Sequence, residues 1–250
     1  MRADQLLVER GLATSRSQAQ RLIASGVRWR DRGGWKAVAK NGDELPQQAE
    51  VELLDSAEAR YVSRGGLKLE GALKAGGIDV TGMRCLDVGQ STGGFTDCLL
   101  RHGAAQLTGV DVGHGQLHDS LRRDPRVTVL ESVNARELTA AQAGEDFDLV
   151  TGDLSFISLT LVMPALVPLL KPGGAMLMLV KPQFELQPGQ VGKRGIVTDA
   201  SLYEVVEQRI RDCCASLGLP VRGWHDSPVA GGDGNREFFV HATKTGRPGP

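Results

Sequence analysis

The chain has 250 residues, 29 Lys+Arg against 30 Asp+Glu, and a formal net charge of −1. That length suits one large domain plus a small one. A membrane-spanning helix is not expected, because the longest apolar run, Leu159 to Leu170, is broken by Thr160, Pro164 and Pro168 and falls short of the roughly 20 residues a bilayer needs. No signal peptide is visible from Arg2 onward. The four cysteines show no CxxC spacing, and they read as reduced core thiols of a cytoplasmic protein.

Charge is unevenly spread. Residues 1–40 carry nine basic side chains against three acidic ones, and residues 41–60 reverse the balance. A basic face on a neutral protein points to a polyanionic partner met by one domain. Within residues 1–55, Asp4 is placed to cap a helix ending near Gly11, and Ser15 to cap a second helix, Arg16 to Ser25. Val27–Arg30 alternates like a strand, Asp31–Gly34 is a turn, and Val51–Leu54 closes the module. This order, with Arg2, Asp4, Leu7, Gly11, Ser15, Arg16, Ala19, Arg21, Ile23, Gly26 and Val27, resembles the RNA-binding domain first described in ribosomal small-subunit protein four. The resemblance implies that the basic helix face meets structured RNA, with Arg2, Arg16, Arg21 and Arg28 as contacts. Guanidinium forks suit phosphate oxygens.

Residues 56–63 read as a linker, and a helix is expected over Leu67–Ala75. From Met83, strands and helices alternate. The expected strands are Arg84–Val88, Leu107–Asp111, Val127–Leu130, Asp148–Leu154 and Ala175–Val180, then Val221–Ser227 and Glu237–Ala242 about a turn at Gly231–Asn235. Leu159–Leu170 is expected to be a helix distorted by its prolines. Residues 183–197 read as a mobile flap carrying Lys193 and Arg194, and Ser201–Cys214 as a helix. The pattern predicts an α/β fold with a mostly parallel sheet and one antiparallel strand.

Cys85–Val88 leads into Gly89-Gln90-Ser91-Thr92-Gly93-Gly94, and Ser91, Thr92 or Thr96 is placed to cap the helix that follows. The glycine spacing matches neither GxGxxG nor a phosphate loop, so a smaller nucleoside-like cofactor is favoured over nucleotide phosphate. Asp111, Asp153 and Lys181 each end a strand at the edge where such sheets bind ligands.

These motifs resemble the FtsJ-like S-adenosylmethionine-dependent methyltransferases. The stretches are Asp87–Phe95, Gly152–Ser158, Leu179–Glu185 and Gly234–Phe238. With Ser63–Leu69 added, the chain is similar to the TlyA family, which joins the small RNA-binding domain to a ribosomal RNA 2′-O-methyltransferase domain and was once labelled haemolysin. The resemblance implies a seven-stranded Rossmann-like sheet, S-adenosylmethionine as cofactor, ribosomal RNA in ribosomal subunits as partner, and further contacts to structured RNA from Arg64, Lys193 and Arg194. It implies a tetrad of Lys68, Asp153, Lys181 and Glu237. A lysine beside a ribose hydroxyl can stabilise the charge that develops as it attacks a sulfonium methyl. An adjacent carboxylate favours the ammonium form, so Lys181 reads first as an electrostatic stabiliser.

For the cofactor, the resemblance implies Asp87, Gly89, Ser91, Thr92, Gly93 and Gly94 near the methionine end, Asp111 at the ribose hydroxyls, and Asn134 and Ala135 near the adenine. Gln90 stands where a small residue is expected, and it either crowds the pocket or adds a hydrogen bond. Ala59-Arg60-Tyr61-Val62 departs from the family's Arg-x-Trp-Val. No metal is expected, because the five histidines form no ligand set. Two rival readings remain: an RNA-binding assembly protein with a degenerate cofactor site, and a membrane-active haemolysin. The sequence does not specify an oligomeric state.

Overall fold

The computed structural model describes residues 1–54, 60–231 and 234–246, apart from the side chain of Lys193. The chain divides into two units, Met1–Leu67 and Lys68–Pro250. The expected linker falls partly outside the described residues. The first unit runs on through Leu67 because Tyr61 is buried and packs on Gly66, where a Cβ would meet the tyrosine Cγ at 2.3 Å. The carbonyl of Tyr61 also accepts a hydrogen bond of 2.9 Å from Gln18.

In the first unit, helices α1 (Ala3–Glu9) and α2 (Arg16–Gly26) cover a three-stranded antiparallel sheet of β1 (Val27–Asp31), β2 (Gly34–Ala37) and β3 (Val51–Leu53), in the order β2-β1-β3. Leu6, Leu7, Ala19, Leu22, Ile23 and Val27 form its core, at the spacings one helix face and one strand face require. Ser15 accepts the Gln18 N–H and caps α2 as expected. Asp4 does not cap α1. The helix starts two residues earlier, with Arg2 at the N-cap, and the buried Asp4 carboxylate is taken up by Arg2 and Arg16. Strand β2 was not foreseen, since Gly34-Trp35-Lys36-Ala37 has only its pairing to β1 to make it a strand.

The second unit is built on a seven-stranded sheet. Its elements are α3 (Gly65–Gly76, which begins in the first unit), β4 (Arg84–Val88), α4 (Gly94–Arg101), β5 (Gln106–Val110), α5 (Asp119–Arg122), β6 (Val127–Leu130), α6 (Ala140–Ala143), β7 (Phe147–Gly152), α7 (Met163–Leu166), β8 (Leu170–Val180), α8 (Pro182–Glu185), α9 (Ser201–Ser216), β9 (Val221–Asp226) and β10 (Phe238–Thr243). Strand order is β6-β5-β4-β7-β8-β10-β9, with β10 alone antiparallel to its neighbours. The central strands read as near-continuous apolar runs because both faces are covered. Burying a side chain such as Phe147 or Leu149 contributes about 1.5–3 kcal/mol.

The single helix expected over Leu159–Leu170 does not form. Pro164 and Pro168 lack the N–H a helix interior needs, and the segment becomes a 3-10 turn, the short α7 and a second 3-10 turn before β8 begins at Leu170. The expected capping of α4 by a side chain also fails. Gly93, at φ 96°, is the N-cap, and Thr96 turns its hydroxyl to Asp87. Strands β9 and β10 pair as the hairpin reading requires, although residues 232–233 of the expected turn lie outside the described residues. The end of the segment expected as a flap is hydrogen-bonded to the hairpin region. Asn235 accepts from the Val197 N–H and donates to the Gly195 carbonyl, each at 2.9 Å.

Candidate active site

The carboxyl ends of β4, β5, β7 and β8 lie side by side, so the residues just past them share one edge. Gly89 follows β4 at φ 82°, and a Cβ there would come within 2.6 Å of the Asp153 carbonyl. Only glycine lets the two chain segments approach this closely. Asp111, just past β5, accepts the N–H of Ser91 and that of Gly113, both at 2.7 Å. Those bonds fix the loop, and a carboxylate keeps further lone pairs for a ligand.

Between these segments lies a cavity of about 470 Å³, within the size range of small-molecule sites. Of the residues expected at a cofactor, Gly89, Ser91, Asp111, Asn134 and Ala135 line it, together with Asp153. Val110, Val133, Ile157 and Val162 supply an apolar wall. Asn134 accepts the Arg136 N–H with its side-chain oxygen, so its amide donors remain for recognition. Asp87, Thr92, Gly93 and Gly94 do not line the cavity. Gly93 serves packing, since a Cβ there would meet Leu121 at 2.3 Å and Leu117 at 2.7 Å.

Asp87 works beneath the loop. It is completely buried and accepts the Thr96 hydroxyl at 2.7 Å. Its other oxygen is buried and has no hydrogen-bond partner among the described residues. Burial pushes its carboxyl up to about 7, against the pull of the Thr96 hydrogen bond and with help from the charges of Asp153 and Asp111. Gln90 continues the chain. Its amide donates to Thr96 at 2.9 Å, and its side chain lies over Gly109, where a Cβ would clash at 1.9 Å. Gln90 therefore does not crowd the cavity; Gly109 makes the room it occupies. This removes the observation on which the degenerate-site reading rested.

The tetrad forms two ion pairs. Lys181 follows β8, and its Nζ lies 2.5 Å from Asp153 Oδ1 and donates to Ser155 Oγ at 2.9 Å. Lys68, on α3, pairs with Glu237 at 2.5 Å, and both side chains are about 95% buried. The antiparallel register matches Phe238 with Val180, which sets Glu237 beside Lys181 at the end of adjacent strands. Ser155 and Phe156 were not foreseen as site residues. Phe156 is 90% exposed, holds a left-handed φ of 64° and packs on Phe184 with ring centroids 5.2 Å apart. A bulky side chain in that region is strained, and such strain gathers at functional sites. An aromatic set in the loop just after a strand-ending aspartate was the available signal.

The basic residues expected to meet RNA are distributed as follows. Arg2 and Arg16 converge on Asp4, each at 3.0 Å, and their hydrogen bonds, Arg2's first, hold its carboxyl well below the usual carboxylate range. Arg28 pairs with Glu52 and lies over Trp35, 4.8 Å from the ring centroid. Arg21 and Arg64 are half-buried. Arg194 is exposed at φ 66°, and the side chain of Lys193 lies outside the described residues.

Comparisons with known proteins bear on these features. The 16S/23S rRNA (cytidine-2′-O)-methyltransferase TlyA of Mycobacterium tuberculosis is 47% identical over 96% of this chain and 88% of its own length. A solved structure from Streptococcus thermophilus, provisionally named a hemolysin, superposes with a TM-score of 0.76 at 40% identity, covering 98% of this chain and 88% of that one. An S-adenosylmethionine-dependent methyltransferase from Mesorhizobium loti, 17% identical, shares the fold over 71% of this chain and 98% of its own, with a TM-score of 0.52. The family model for FtsJ-like methyltransferases matches residues 61–244. With the seven-stranded sheet, the cavity at its edge and the paired lysines in place, the chain belongs to the FtsJ-like methyltransferase family and is a TlyA-type member of it.

Proposed function

We propose that this protein uses S-adenosylmethionine to methylate the ribose 2′-hydroxyl of a cytidine in ribosomal RNA, acting on ribosomal subunits in the cytoplasm. The observation that carries the reading is Lys181, held by Asp153 and Ser155, on the same loops that line the 470 Å³ cavity. The residues present fit the cofactor. Asp111 and Asn134 keep polar capacity, the valines and Ile157 offer an apolar wall, and Gly89 and Ser91 leave the floor of the loop open. When bound, S-adenosylmethionine supplies a methyl group on a positively charged sulfur.

The chain's own residues do the rest. The Lys181 ammonium is suited to stabilise the negative charge that grows on a ribose oxygen as it attacks the methyl and gives up its proton to water. Asp153 and Ser155 orient that ammonium. The Lys68–Glu237 pair, buried beside the end of β8, supports its placement. Phe156 presents an exposed aromatic face, and such faces stack on bases. In the first unit, exposed guanidinium heads on a small α+β fold suit the phosphates of structured RNA, which such a fold would read by shape. Among the described residues no helix is long and apolar enough to cross a membrane.

The test is incubation with purified ribosomal subunits and methyl-labelled cofactor. Label recovered in a 2′-O-methylated nucleoside is expected. Subunits and their precursors that stay unlabelled would overturn the reading.

A further inference from the structure

Glu185 is a buried acid that the proposed chemistry does not use. It ends α8, three residues after Pro182 and four after Lys181. Its side chain is about 99% buried. Oε2 accepts the Ser158 hydroxyl at 2.5 Å, and Oε1 accepts the Leu159 N–H at 2.7 Å. Arg209 on α9 closes the arrangement, with Nε 3.9 Å from Oε2 and an N–H donated to the Glu185 carbonyl at 2.6 Å. Burial pushes the Glu185 carboxyl up, and the two donors and Arg209 pull it back. A buried carboxylate that makes this many contacts is costly to keep unless it holds something in place.

What it holds is the loop from Asp153 to Ser158. That loop supplies Asp153 and Ser155, which fix the Lys181 ammonium, and Phe156, which packs on Phe184 of α8. The loop and the Lys181 segment come from different strands, β7 and β8. Their reactive ends meet at Lys181, and their far ends meet at Glu185. Phe156 holds a left-handed φ, so the loop's shape must be imposed from outside. The hydroxyl of Ser158 is oriented for this. It accepts the Thr160 N–H at 3.2 Å and contacts the Thr160 hydroxyl at 2.7 Å, which leaves its own proton for Glu185.

We infer that Glu185 is a positioning residue for the methyl transfer, tying the Ser155–Phe156 loop to the Lys181 segment so that Ser155 meets the lysine. The inference rests on the functional reading above. Small errors of placement at a reacting group are expensive in rate.

Three variants test it: Glu185→Gln, Ser158→Ala and Ser155→Ala, with the Glu185→Gln/Ser155→Ala double. Glutamine keeps the size and one acceptor, and Ser158→Ala removes a single donor, so folding does not hang on one drastic change. The readouts are kcat on ribosomal subunits, the Kd of S-adenosylhomocysteine by calorimetry, and hydrogen exchange over residues 154–160. Glu185→Gln and Ser158→Ala should each lower kcat about 10-fold or more and change Kd far less. The double should be no slower than its slower parent, because both changes cut one line of action. Exchange over 154–160 should quicken in Glu185→Gln. Unchanged kcat in both single variants, or losses that multiply in the double, would overturn the inference. If the wild type leaves subunits unmethylated, the functional reading falls instead. Exchange then decides alone: an unchanged rate over 154–160 shows that Glu185 does not hold the loop.

Discussion

The first unit and the sheet edge of the second both carry lysine and arginine paired with carboxylates, but water treats them differently. Arg30 and Glu50 are each about 60% exposed, whereas Lys68 and Glu237 are about 95% buried. An exposed pair gains little from its own attraction and exchanges partners readily. A buried pair has lost its water and cannot lose its partner without leaving a bare charge. The same residue types therefore suit different tasks, a surface able to swap carboxylate for phosphate and a site whose geometry must not change. Asp4 is the exception within the first unit. It is fully buried, yet both of its arginines keep exposed heads.

The contrast predicts a graded series of effects. Lys68→Ala should be the most damaging to stability, at about 3–5 kcal/mol, because Glu237 is left buried and unpaired. Urea unfolding measures it, and a double replacement of Lys68 and Glu237 by apolar residues should cost clearly less. A loss near zero for the single change would mean that Glu237 finds other solvation.

Asp87→Asn comes next and should depend on pH. The folded protein holds the Asp87 proton up to about pH 7, whereas an unfolded aspartate loses it near pH 4. Between these values the folded state binds the extra proton. Its stabilising contribution is whole below about pH 4 and is lost as pH rises through about 7. Thermal unfolding of the wild type should weaken from pH 5 to pH 8 relative to Asp87→Asn. Parallel curves for the two proteins would contradict the assignment.

Removing Arg16 and Arg21 together should weaken RNA binding and lower the slope of log affinity against log salt by about two. An unaltered slope would move the RNA footprint off α2. Smallest of all, Glu50→Ala should leave the unfolding midpoint unmoved within error, because its partner Arg30 is already solvated.

Much of this was legible in the residues, and what was not has physical reasons. Strands with both faces buried show as apolar runs, so β4, β5, β7 and the end of β8 stood out. Charged residues at three strand ends located the edge. The small unit showed through Ser15 and the Gly11 and Gly26 breaks. Strand β2 stayed hidden because its order comes from pairing with β1 and not from its own pattern. The proline-rich segment after Ser158 read as one helix distorted by its prolines, and apolar spacing alone does not show that the missing N–H groups split it into separate short turns. The role of Gln90 could not be read locally, since it depends on Gly109, nineteen residues later and one strand away. Glu185 stood at the end of the Leu179–Glu185 motif, but its role could not be read there, because its partners Ser158, Leu159 and Arg209 are joined only by the fold.

The account stands most directly on Lys181, and a single-turnover comparison of wild type with Lys181→Ala tests it, using saturating labelled cofactor and ribosomal subunits. The prediction is a loss of ribose methylation of about 10²–10³-fold, with S-adenosylhomocysteine affinity by calorimetry kept within a few-fold. Methylation at the wild-type rate without the lysine, or label that enters a base and not a ribose, would contradict it.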